Sequence, residues 1–443
     1  MNKKLLCLLV SAILSGQVMA AEDLMQVYQL SEQQDPVLKG SEASYAAVKE
    51  LRPQARARLM LPVIGATGET FYNNEEVSVD NGSVFGLGGD SEYNTRGYAI
   101  NLTQPVYHYD RYMQLKQADA RIRQAQLELD ATRQELMVRV AERYFTVLAA
   151  IDNVTFARAE KEALGRQLDQ TQQRFDVGLI AITDVQEAKA GYDRAVADEI
   201  AAVKLLDDAR EALRELTNEY PGELAALGEQ MPLVAPEPAD AQQWVDTAVK
   251  QNLRIAAADA ATQVAAQEIR VQYAGHLPTL DIVGSHGTDV SGGGRFGGTT
   301  TDLSAIGLAL NVPIYEGGQV QSRTRQATYR HEESLQVLEE QRRAVVRSAK
   351  DSYEGVISGI ARVQALQQAV VSSQTALEAT QAGYEVGTRT AVDVVAQERN
   401  LYAAKRDFAA ARYNYVLDTL RLKQAAGTLA PADLNEVNSW LVR

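Results

Sequence analysis

Two similar stretches of the chain hold the side chains whose types and spacing could do chemistry. RFDVGLIAITDV occupies residues 174–185, and GYEVGTRTAVDV occupies residues 383–394. Each stretch has an aromatic residue, an acid, Val-Gly and, six positions after the Gly, an Asp. The second stretch also contains Arg389, whose planar guanidinium can donate several hydrogen bonds in a fixed geometry.

The glycines of these stretches predict turns between helices. Gly178 and Gly387 suit the left-handed conformation that commonly ends a helix. Two pairs of residues have the spacing of a capping box that begins the next helix: Thr183 with Gln186, and Thr390 with Asp393. A turn accounts for the glycines, the threonines and part of the role of the aspartates. It does not account for Arg389 or for the aromatic Tyr384.

The sequence gives little support for an enzyme or a metal centre. None of its four histidines has the spacing of a zinc-binding motif: His108, His276, His286 and His331. The chain also lacks the G-x-S-x-G nucleophile motif and the G-x-x-x-x-G-K-[ST] phosphate loop. We therefore expect no catalytic residue, no cofactor and no metal ion.

The first twenty residues have the pattern of a secretory signal peptide. Lys3 and Lys4 precede an apolar segment, and residues 18–20 resemble a cleavage site. The only cysteine of the sequence, Cys7, lies in this segment, so the mature chain is expected to have no disulfide or thiol chemistry. Loss of the two lysines changes the formal net charge from −14 to about −16. This acidic balance argues against nucleic acid as a partner.

The remaining chain is predicted to contain two internal repeats. Three pairs of segments match in the same order, and each pair is separated by about 210 residues. One pair is the two stretches described above, the second is LTQPVYHYD with LNVPIYEGG, and the third is RLMLPVIGATG with AGHLPTLDIVG. The predicted organisation is a signal peptide at 1–20, a first repeat at 21–228, a linker at 229–240, a second repeat at 241–430 and a C-terminal segment at 431–443.

Each repeat is predicted to contain a helix, two strands, a long helix and a second helix. In the first repeat the first helix is expected from Leu24 to about Leu59, and Asp35-Pro36 predicts an interruption in it. In the first repeat the strands are expected at 63–73 and 98–107, with a loop at 74–94, and the corresponding loop of the second repeat at 289–301. Apolar and small or polar residues alternate along these strands, which suits either a half-buried sheet or a membrane strand. The aromatic residues around the strands and the long Gly-rich loops favour the membrane strand.

Four membrane strands cannot close a barrel on their own. Closure takes about eight strands or more, and an open edge in lipid leaves backbone groups unpaired. Three chains would supply twelve strands. Apolar residues in 110–175 recur at alternating three- and four-residue spacing, which is typical of coiled-coil helices. We expect the turns at Gly178 and Gly387 at the ends of these helices that lie away from the strands.

Together these segments resemble the outer membrane efflux channel family. The resemblance is carried, in order, by EDLMQVYQ at 22, RQLDQTQQRFDVGLIAITDVQ at 166, GHLPTLD at 275, GYEVGTRTAVDV at 383 and ARYNY at 411. It covers essentially the whole chain after residue 20. It implies a mainly α-helical chain with a membrane β-barrel, which assembles as a homotrimer. Twelve strands, four from each chain, would form the barrel and continue into an α-barrel of twelve long coiled-coil helices.

The resemblance also implies a gate and partners. The positions that match the family's gate are Thr183, Asp184, Tyr384 and Arg389, and Tyr384 and Arg389 would bind Asp184 or Thr183 on neighbouring helices. The turns expected to contact the adaptor are Val177, Gly178, Leu179, Val386, Gly387 and Thr388. The implied partners are a periplasmic adaptor (membrane fusion) protein, an inner-membrane pump of the RND or ABC type, and outer membrane lipid. The implied function is the exit duct of tripartite multidrug efflux and type I protein secretion in a Gram-negative bacterium.

One position departs from the family pattern. The family has a second Asp three residues after the position of Asp393, and this chain has Ala396 there. A trimer would then carry one ring of three carboxylates at the entrance instead of two rings. We expect the cation preference to be retained and the binding of multivalent cations to be weaker.

A soluble periplasmic adaptor or scaffold is the alternative function. It would explain the long helices and their turns. It would not require alternating strands at equivalent places in both repeats.

Overall fold

The computed structural model describes residues 21–78, 89–228, 231–294 and 297–442. The predicted signal peptide, with Cys7, lies outside the described residues. The chain is mostly α-helical and divides into two compact units. The helical unit comprises the residues up to Gly40, Ala131–Asn252 and the residues from Ala344 onward, and the sheet unit comprises Ser41–Asp130 and Leu253–Arg343.

Helices and long strands follow one another in a similar order in both halves of the chain. The first half contains α1 Leu24–Gln34, α2 Pro36–Lys49, α3 Leu51–Met60, β1 Val63–Val77, β2 Gly89–Tyr107, α4 Tyr109–Asp176, α5 Ile182–Thr217 and the short β3 Ala226–Leu227. The second half contains α6 Ala241–Gln251, α7 Leu253–Tyr273, β4 Thr279–Ser291, β5 Thr299–Asn311, α8 Gln319–Glu385, α9 Ala391–Ala426, α10 Pro431–Asn438 and the short β6 Leu441–Val442. Within the described ranges, no helix combines the length and apolar character that a membrane span requires.

Asp35 separates α1 from α2, where the Asp-Pro sequence predicted an interruption. Its buried carboxylate accepts a hydrogen bond from the Leu38 amide at 2.8 Å and pairs with Arg139 Nη2 at 2.8 Å. A second break, at Glu50, was not predicted. Pro53, near the start of α3, has no N–H with which to bond to a carbonyl of the preceding turn, so α2 cannot continue regularly into α3.

The four long strands form one antiparallel sheet in the order β1-β2-β4-β5. Pairing extends to Val77 opposite Gly89 in the first hairpin and to Ser291 opposite Thr299 in the second. The predicted loops at 74–94 and 289–301 were therefore too long. Their polar side chains suggested loops, but an antiparallel ladder is made of backbone hydrogen bonds and tolerates polar side chains that face away from a core.

The register places most of the large apolar residues of the strands on one face, here called the apolar sheet face. Leu102 on β2 lies opposite Ile64 on β1 and Gly284 on β4, and Gly284 lies opposite Ile306 on β5. Directly opposite residues share a face, as does every second residue along a strand. Large apolar members of this face include Ile64, Tyr72, Tyr98, Ile100, Leu102, Leu280, Ile282, Ile306, Leu308 and Leu310. In the single chain Ile306 is 85% exposed, so these residues have no covering layer of their own.

The opposite sheet face carries mainly small and polar side chains, together with Phe71, Val283 and Leu303. Glu69 on β1, Gly97 on β2 and Asp289 on β4 lie side by side on it. Four residues further along β2, Asn101 lies beside Ser285 on the same face. One face of the sheet is thus suited to an apolar environment and the other to water.

Aromatic residues of α4 and α9 fill the core of the helical unit. Tyr144, Phe145 and Tyr415 are almost completely buried, and the rings of Phe145 and Tyr413 lie 5.7 Å apart. The Tyr413 hydroxyl donates a hydrogen bond to the Asp152 carboxylate at 2.6 Å. Because these contacts join α4 to α9, they fix the two helices that lead to the predicted site.

Candidate functional site

Both Val-Gly turns have the predicted left-handed glycine. The φ angle of Gly178 is +77° and that of Gly387 is +80°. In the first turn the Leu179 amide donates to the Arg174 carbonyl at 2.9 Å, and in the second the Thr388 amide donates to the Gly383 carbonyl at 2.9 Å. These bonds across the end of each helix satisfy carbonyls that the helix leaves without a partner.

The helices that follow the turns begin in different ways. Thr390 caps α9 as predicted, because its hydroxyl accepts the Asp393 amide at 3.3 Å while the Asp393 carboxylate accepts the Thr390 amide at 3.0 Å. The predicted capping box of Thr183 with Gln186 is wrong. The first residue of α5 is Ile182, so the cap position is Ala181, and no side chain of the described residues caps this helix end. Thr183 is the second residue of the helix and cannot serve as its cap.

The carboxylate of Asp393 is charged at neutral pH. Hydrogen bonds from the Thr390 amide and hydroxyl, together with the nearby charge of Arg389, hold the pKa of Asp393 below its usual value. The side chain is half-buried, and Ala396, one turn further along α9, is exposed. Asp393 therefore caps the helix and also places a negative charge near its start.

Tyr384 is buried at the end of α8. It is 5% exposed and packs in a cluster with apolar residues of α8 and α9: Leu377, Ala391, Val394 and Leu401. Its hydroxyl is buried and has no hydrogen-bond partner within the described part of the chain. An unpaired buried hydroxyl costs free energy unless a further group bonds to it.

Arg174 is a residue of this site that the sequence did not reveal. It lies in the last turn of α4, and its Nη1 donates to the Tyr384 carbonyl at 3.2 Å. Its guanidinium also stacks over the Tyr384 ring, 4.5 Å from the centroid. Arg174 is the first residue of the first Val-Gly stretch. Basic residues in a last helical turn are a signal that could have pointed to it.

The remaining gate positions are not joined within one chain. Arg389 is exposed, and its guanidinium makes no hydrogen bond or ion pair to any described residue. Thr183 is exposed and Asp184 is half-buried, and neither side chain bonds to Tyr384 or Arg389 in the described chain. Gly383 gives Arg389 room, because a Cβ at this position would lie 2.8 Å from Arg389 Cγ.

The tips of the two turns present apolar side chains to solvent. Val177 is 70% exposed, Leu179 is 73% exposed and Val386 is 76% exposed. Gly178, Gly387 and Thr388, the other residues predicted to contact an adaptor, are exposed as well. Exposed apolar side chains that cluster in this way commonly mark a contact with another protein.

A buried carboxyl lies between α4 and α9. Glu398 is 5% exposed, and its Oε2 has no hydrogen-bond partner among the described residues. Burial raises the pKa of Glu398 to about 7, with Arg166 opposing the rise and Glu160 adding to it. Glu160 on α4 is also buried, and it pairs with Arg406 on α9 at 3.0 Å. Among the described residues, no three His, Cys, Asp or Glu side chains are grouped so as to hold a metal ion.

Comparison with known sequences finds one family and close relatives. The chain matches the family described as outer membrane efflux protein over residues 27–219 and 244–428. Its alignment with the outer membrane protein TolC of Escherichia coli K12 extends over 454 residues with 39% identity. The alignment covers 99% of this chain and 89% of that protein. Its alignment with the alkaline protease secretion protein AprF of Pseudomonas aeruginosa has 29% identity and covers 94% of this chain and 86% of that protein.

Solved structures show the same fold. The outer membrane channel CmeC of Campylobacter jejuni matches with a TM-score of 0.78, covering 95% of this chain and 90% of that chain at 15% identity. The likeness at this identity concerns the fold alone. Together with the sequence matches, it shows that the alternative prediction of a soluble periplasmic adaptor was wrong.

Replacing Glu398 by Gln is expected to stabilise the protein at alkaline pH. The pKa of Glu398 is about 7 in the folded chain and near 4.5 when the side chain is in water, so between these values the unfolded chain binds fewer protons. The cost of ionising buried Glu398 is absent below about pH 4.5, grows as the pH rises and is complete above about pH 7. The free energy of unfolding of Glu398→Gln, relative to the wild type, should rise by about 3 kcal/mol across this window, at about 1.4 kcal/mol for each unit of pKa difference.

Thermal unfolding of the detergent-solubilised protein at pH 5 and pH 8 measures this difference. Glu162→Gln, on the exposed surface of α4, is the control. An equal difference from the wild type at both pH values would contradict the prediction, because it would show that the pKa of Glu398 is the same in the folded and unfolded chains.

Proposed function

The chain belongs to the outer membrane efflux protein family, and we propose that three copies of it form one channel across the outer membrane. The protein is located in the outer membrane, where it serves as an exit duct rather than an enzyme. In the proposed trimer each chain contributes four strands to a 12-stranded β-barrel and four long helices to a 12-helix α-barrel. The four-stranded sheet, with one apolar and one polar face, is the observation that carries this proposal.

The apolar sheet face suits contact with lipid. Ile306, Leu308 and Leu310 lie on the edge strand β5 and are 85%, 71% and 65% exposed in the single chain. Burying apolar area in lipid is favourable by roughly 25 cal/mol per Å². The opposite face carries Glu69 and Asp289, which suit a water-filled lumen. This inside-outside alternation is the pattern of a membrane barrel.

The two edges of the sheet require further strands. Among the described strands, β1 pairs only with β2, and β5 pairs only with β4. Each unpaired amide or carbonyl costs several kcal/mol in lipid. Successive strands of the sheet alternate in direction, so β5 of one copy runs antiparallel to β1 of the next copy when the copies are placed around a ring. One repeated β5–β1 pairing then closes the barrel and removes every edge.

The relatives and the turns support the partners. The chain resembles TolC, and it resembles AprF, which is named for the secretion of alkaline protease. Tripartite efflux and type I secretion are therefore the transport classes we assign. Because the sequence has no phosphate loop, the energy is assigned to an inner-membrane pump of the RND or ABC type. The exposed tips at Val177, Leu179 and Val386 are the surface we assign to the periplasmic adaptor (membrane fusion) protein.

The gate is assigned to contacts between neighbouring helices, including those of different chains. The Tyr384 hydroxyl is buried without a partner, and the Arg389 guanidinium has no bond within the described chain. Both groups are therefore available to Thr183 or Asp184 on a neighbouring helix. Each contact would occur three times in the trimer, so one substitution removes three contacts from the closed state.

Replacing Arg389 by Ser is expected to open the channel. The purified wild-type protein in a planar bilayer should show a small, cation-preferring single-channel conductance, since its tip is closed. Arg389→Ser removes the proposed contacts to Thr183 or Asp184 and should raise this conductance several-fold. Arg194→Ser, which removes an exposed cation of α5, should leave the conductance unchanged.

Two outcomes of this experiment contradict different parts of the proposal. Wild-type channels with an unchanged Arg389→Ser conductance would retain the channel and reject this gate. Absence of channels from well-folded protein, in bilayers where a known porin inserts, would reject the channel itself.

A second substitution tests the entrance ring. The charged Asp393 of each chain would form one ring of three carboxylates in the trimer, and Asp393→Asn should reduce the cation preference. Ala396→Asp adds a carboxylate one turn further along α9. It should lower the concentration of a trivalent lanthanide that half-blocks the current by about tenfold.

Reversal potentials in a salt gradient measure the preference, and current block measures the affinity. Asp407→Asn on α9 is a control, because this residue lies farther from the start of the helix. A selectivity that Asp393→Asn leaves unchanged would show that the ring does not control ion entry.

A further inference from the structure

Towards the C-terminal end of α4, one face of the helix carries buried residues at the spacing of a coiled coil. They recur at alternating separations of three and four residues: Ala157, Glu160, Leu164, Gln167 and Thr171, each less than 9% exposed. Leu164 packs with Val395 of α9 and Ala195 of α5. Arg174 is the next position in this series. The fold therefore directs Arg174 towards the other helices of the same chain and not towards solvent.

Much of this buried face is polar. Glu160 pairs with Arg406 of α9, and Thr171 is satisfied within α4 by donating to the Gln167 carbonyl at 2.7 Å. Buried polar contacts contribute less net stability than apolar packing of similar volume, because their desolvation offsets much of the attraction. Few strong contacts therefore hold the last turns of α4 against the neighbouring helices. Each contact near the turn then contributes a larger share of the free energy that holds them there.

Arg174 supplies a cation that the end of α8 lacks. The last turn of α4 contains Arg174, whereas the last turn of α8 contains no basic residue. The C-terminal end of a helix carries partial negative charge on carbonyls without intrahelical partners, and a nearby cation stabilises it. Arg174 donates to one such carbonyl, that of Tyr384, at 3.2 Å, and the Gly387 amide of the turn donates to the same carbonyl at 3.1 Å. It also covers the Tyr384 ring at 4.5 Å, a cation–π contact in a partly buried place.

We propose that Arg174 is a further gating residue that acts within each chain, where it holds the end of α8 against the end of α4 in the closed channel. This inference rests on the proposed channel function. It differs from the contacts assigned to Arg389 and to the Tyr384 hydroxyl, because Arg174 uses the ring and the main-chain carbonyl of Tyr384. Opening at the tip then requires the release of this contact, after which the α8–α9 hairpin can move away from the α4–α5 hairpin.

The test compares substitutions that separate the two kinds of contact. Arg174→Gln removes the charge and the stacking, and should raise the fraction of time that the channel is open in planar bilayers by about tenfold. Arg174→Lys keeps the charge but not the planar fork, and should give an intermediate rise. Tyr384→Phe keeps the ring and the carbonyl, so it should leave the Arg174 contact intact whatever it does to the hydroxyl contact.

Arg214→Gln is the matched control. Arg214 also lies in the last turn of a long helix, α5, and its guanidinium stacks on the Tyr220 ring at 5.1 Å on an exposed surface. It has no place in the proposed gate. Arg214→Gln should change neither the conductance nor the open fraction.

The distance between the two turns tests the Arg174 contact without a recording of channel activity. Spin labels at Val177 and Val386, both exposed, report the separation of the two turns within one chain when labelled chains are diluted among unlabelled chains. The distance distribution should be narrow in the wild type and in Tyr384→Phe, and should broaden in Arg174→Gln.

The outcomes separate this inference from the channel proposal. If Arg389→Ser opens the channel while Arg174→Gln changes neither the open fraction nor the distance, the inference is wrong and the channel function stands. If the wild type forms no channels, the channel proposal fails, and an unchanged distance in Arg174→Gln would overturn the contact as well. Broadening in Arg174→Gln together with a raised open fraction supports the proposal.

Discussion

Unpaired backbone groups at the two edges of the four-stranded sheet are the constraint on which the rest of the structure depends. β1 and β5 have no further partner among the described strands, and the apolar sheet face is exposed in one chain. Lipid satisfies the apolar face but not the edges, because it offers no hydrogen bonds. In the proposed trimer, lipid covers the apolar face while pairing of β5 with β1 around the ring satisfies the edges. The long helices are continuous with these strands in the sequence, so the proposed assembly would bring the helices of the three chains together as well.

The ends of the long helices meet a different requirement, since a closed duct must be stable and yet able to open. Apolar packing over the whole length of α4 would favour closure strongly. The structure instead has polar residues at several buried positions towards the end of α4, including Glu160, and at Glu398 on α9 a buried Oε2 without a hydrogen-bond partner among the described residues. Glycine turns end the helical hairpins α4–α5 and α8–α9, and a few hydrogen-bonded contacts hold the ends of the two hairpins together. Such contacts can be replaced by those of a partner protein without disturbing the aromatic core around Tyr144.

Features that depend on local chemistry could be predicted from the sequence. Gly178 and Gly387 marked the turns, Asp35 marked a break between helices, and the capping box of Thr390 followed from spacing. Features that depend on tertiary contacts could not. The strands continue through polar residues because backbone pairing, and not side-chain type, determines where they end. The partner of Arg174 lies about 210 positions away, and the burial of Glu398 depends on how α9 packs, so no local pattern indicated either.

Disulfide trapping of the β5–β1 pairing tests the central claim most directly. The only cysteine of the sequence is Cys7, in the predicted signal peptide, so introduced cysteines can be scored without background in the mature chain. One cysteine replaces Thr67 on the polar face of β1, and a second replaces Ala305, Gly307 or Ala309 on the same face of β5, with Ile306 on the opposite face as control. The account predicts that oxidation in outer membranes converts one of the same-face proteins into a covalent ring of three chains, while the Ile306 control stays unlinked. Absence of interchain links in all three same-face proteins, or an open ladder beyond three chains, would contradict it.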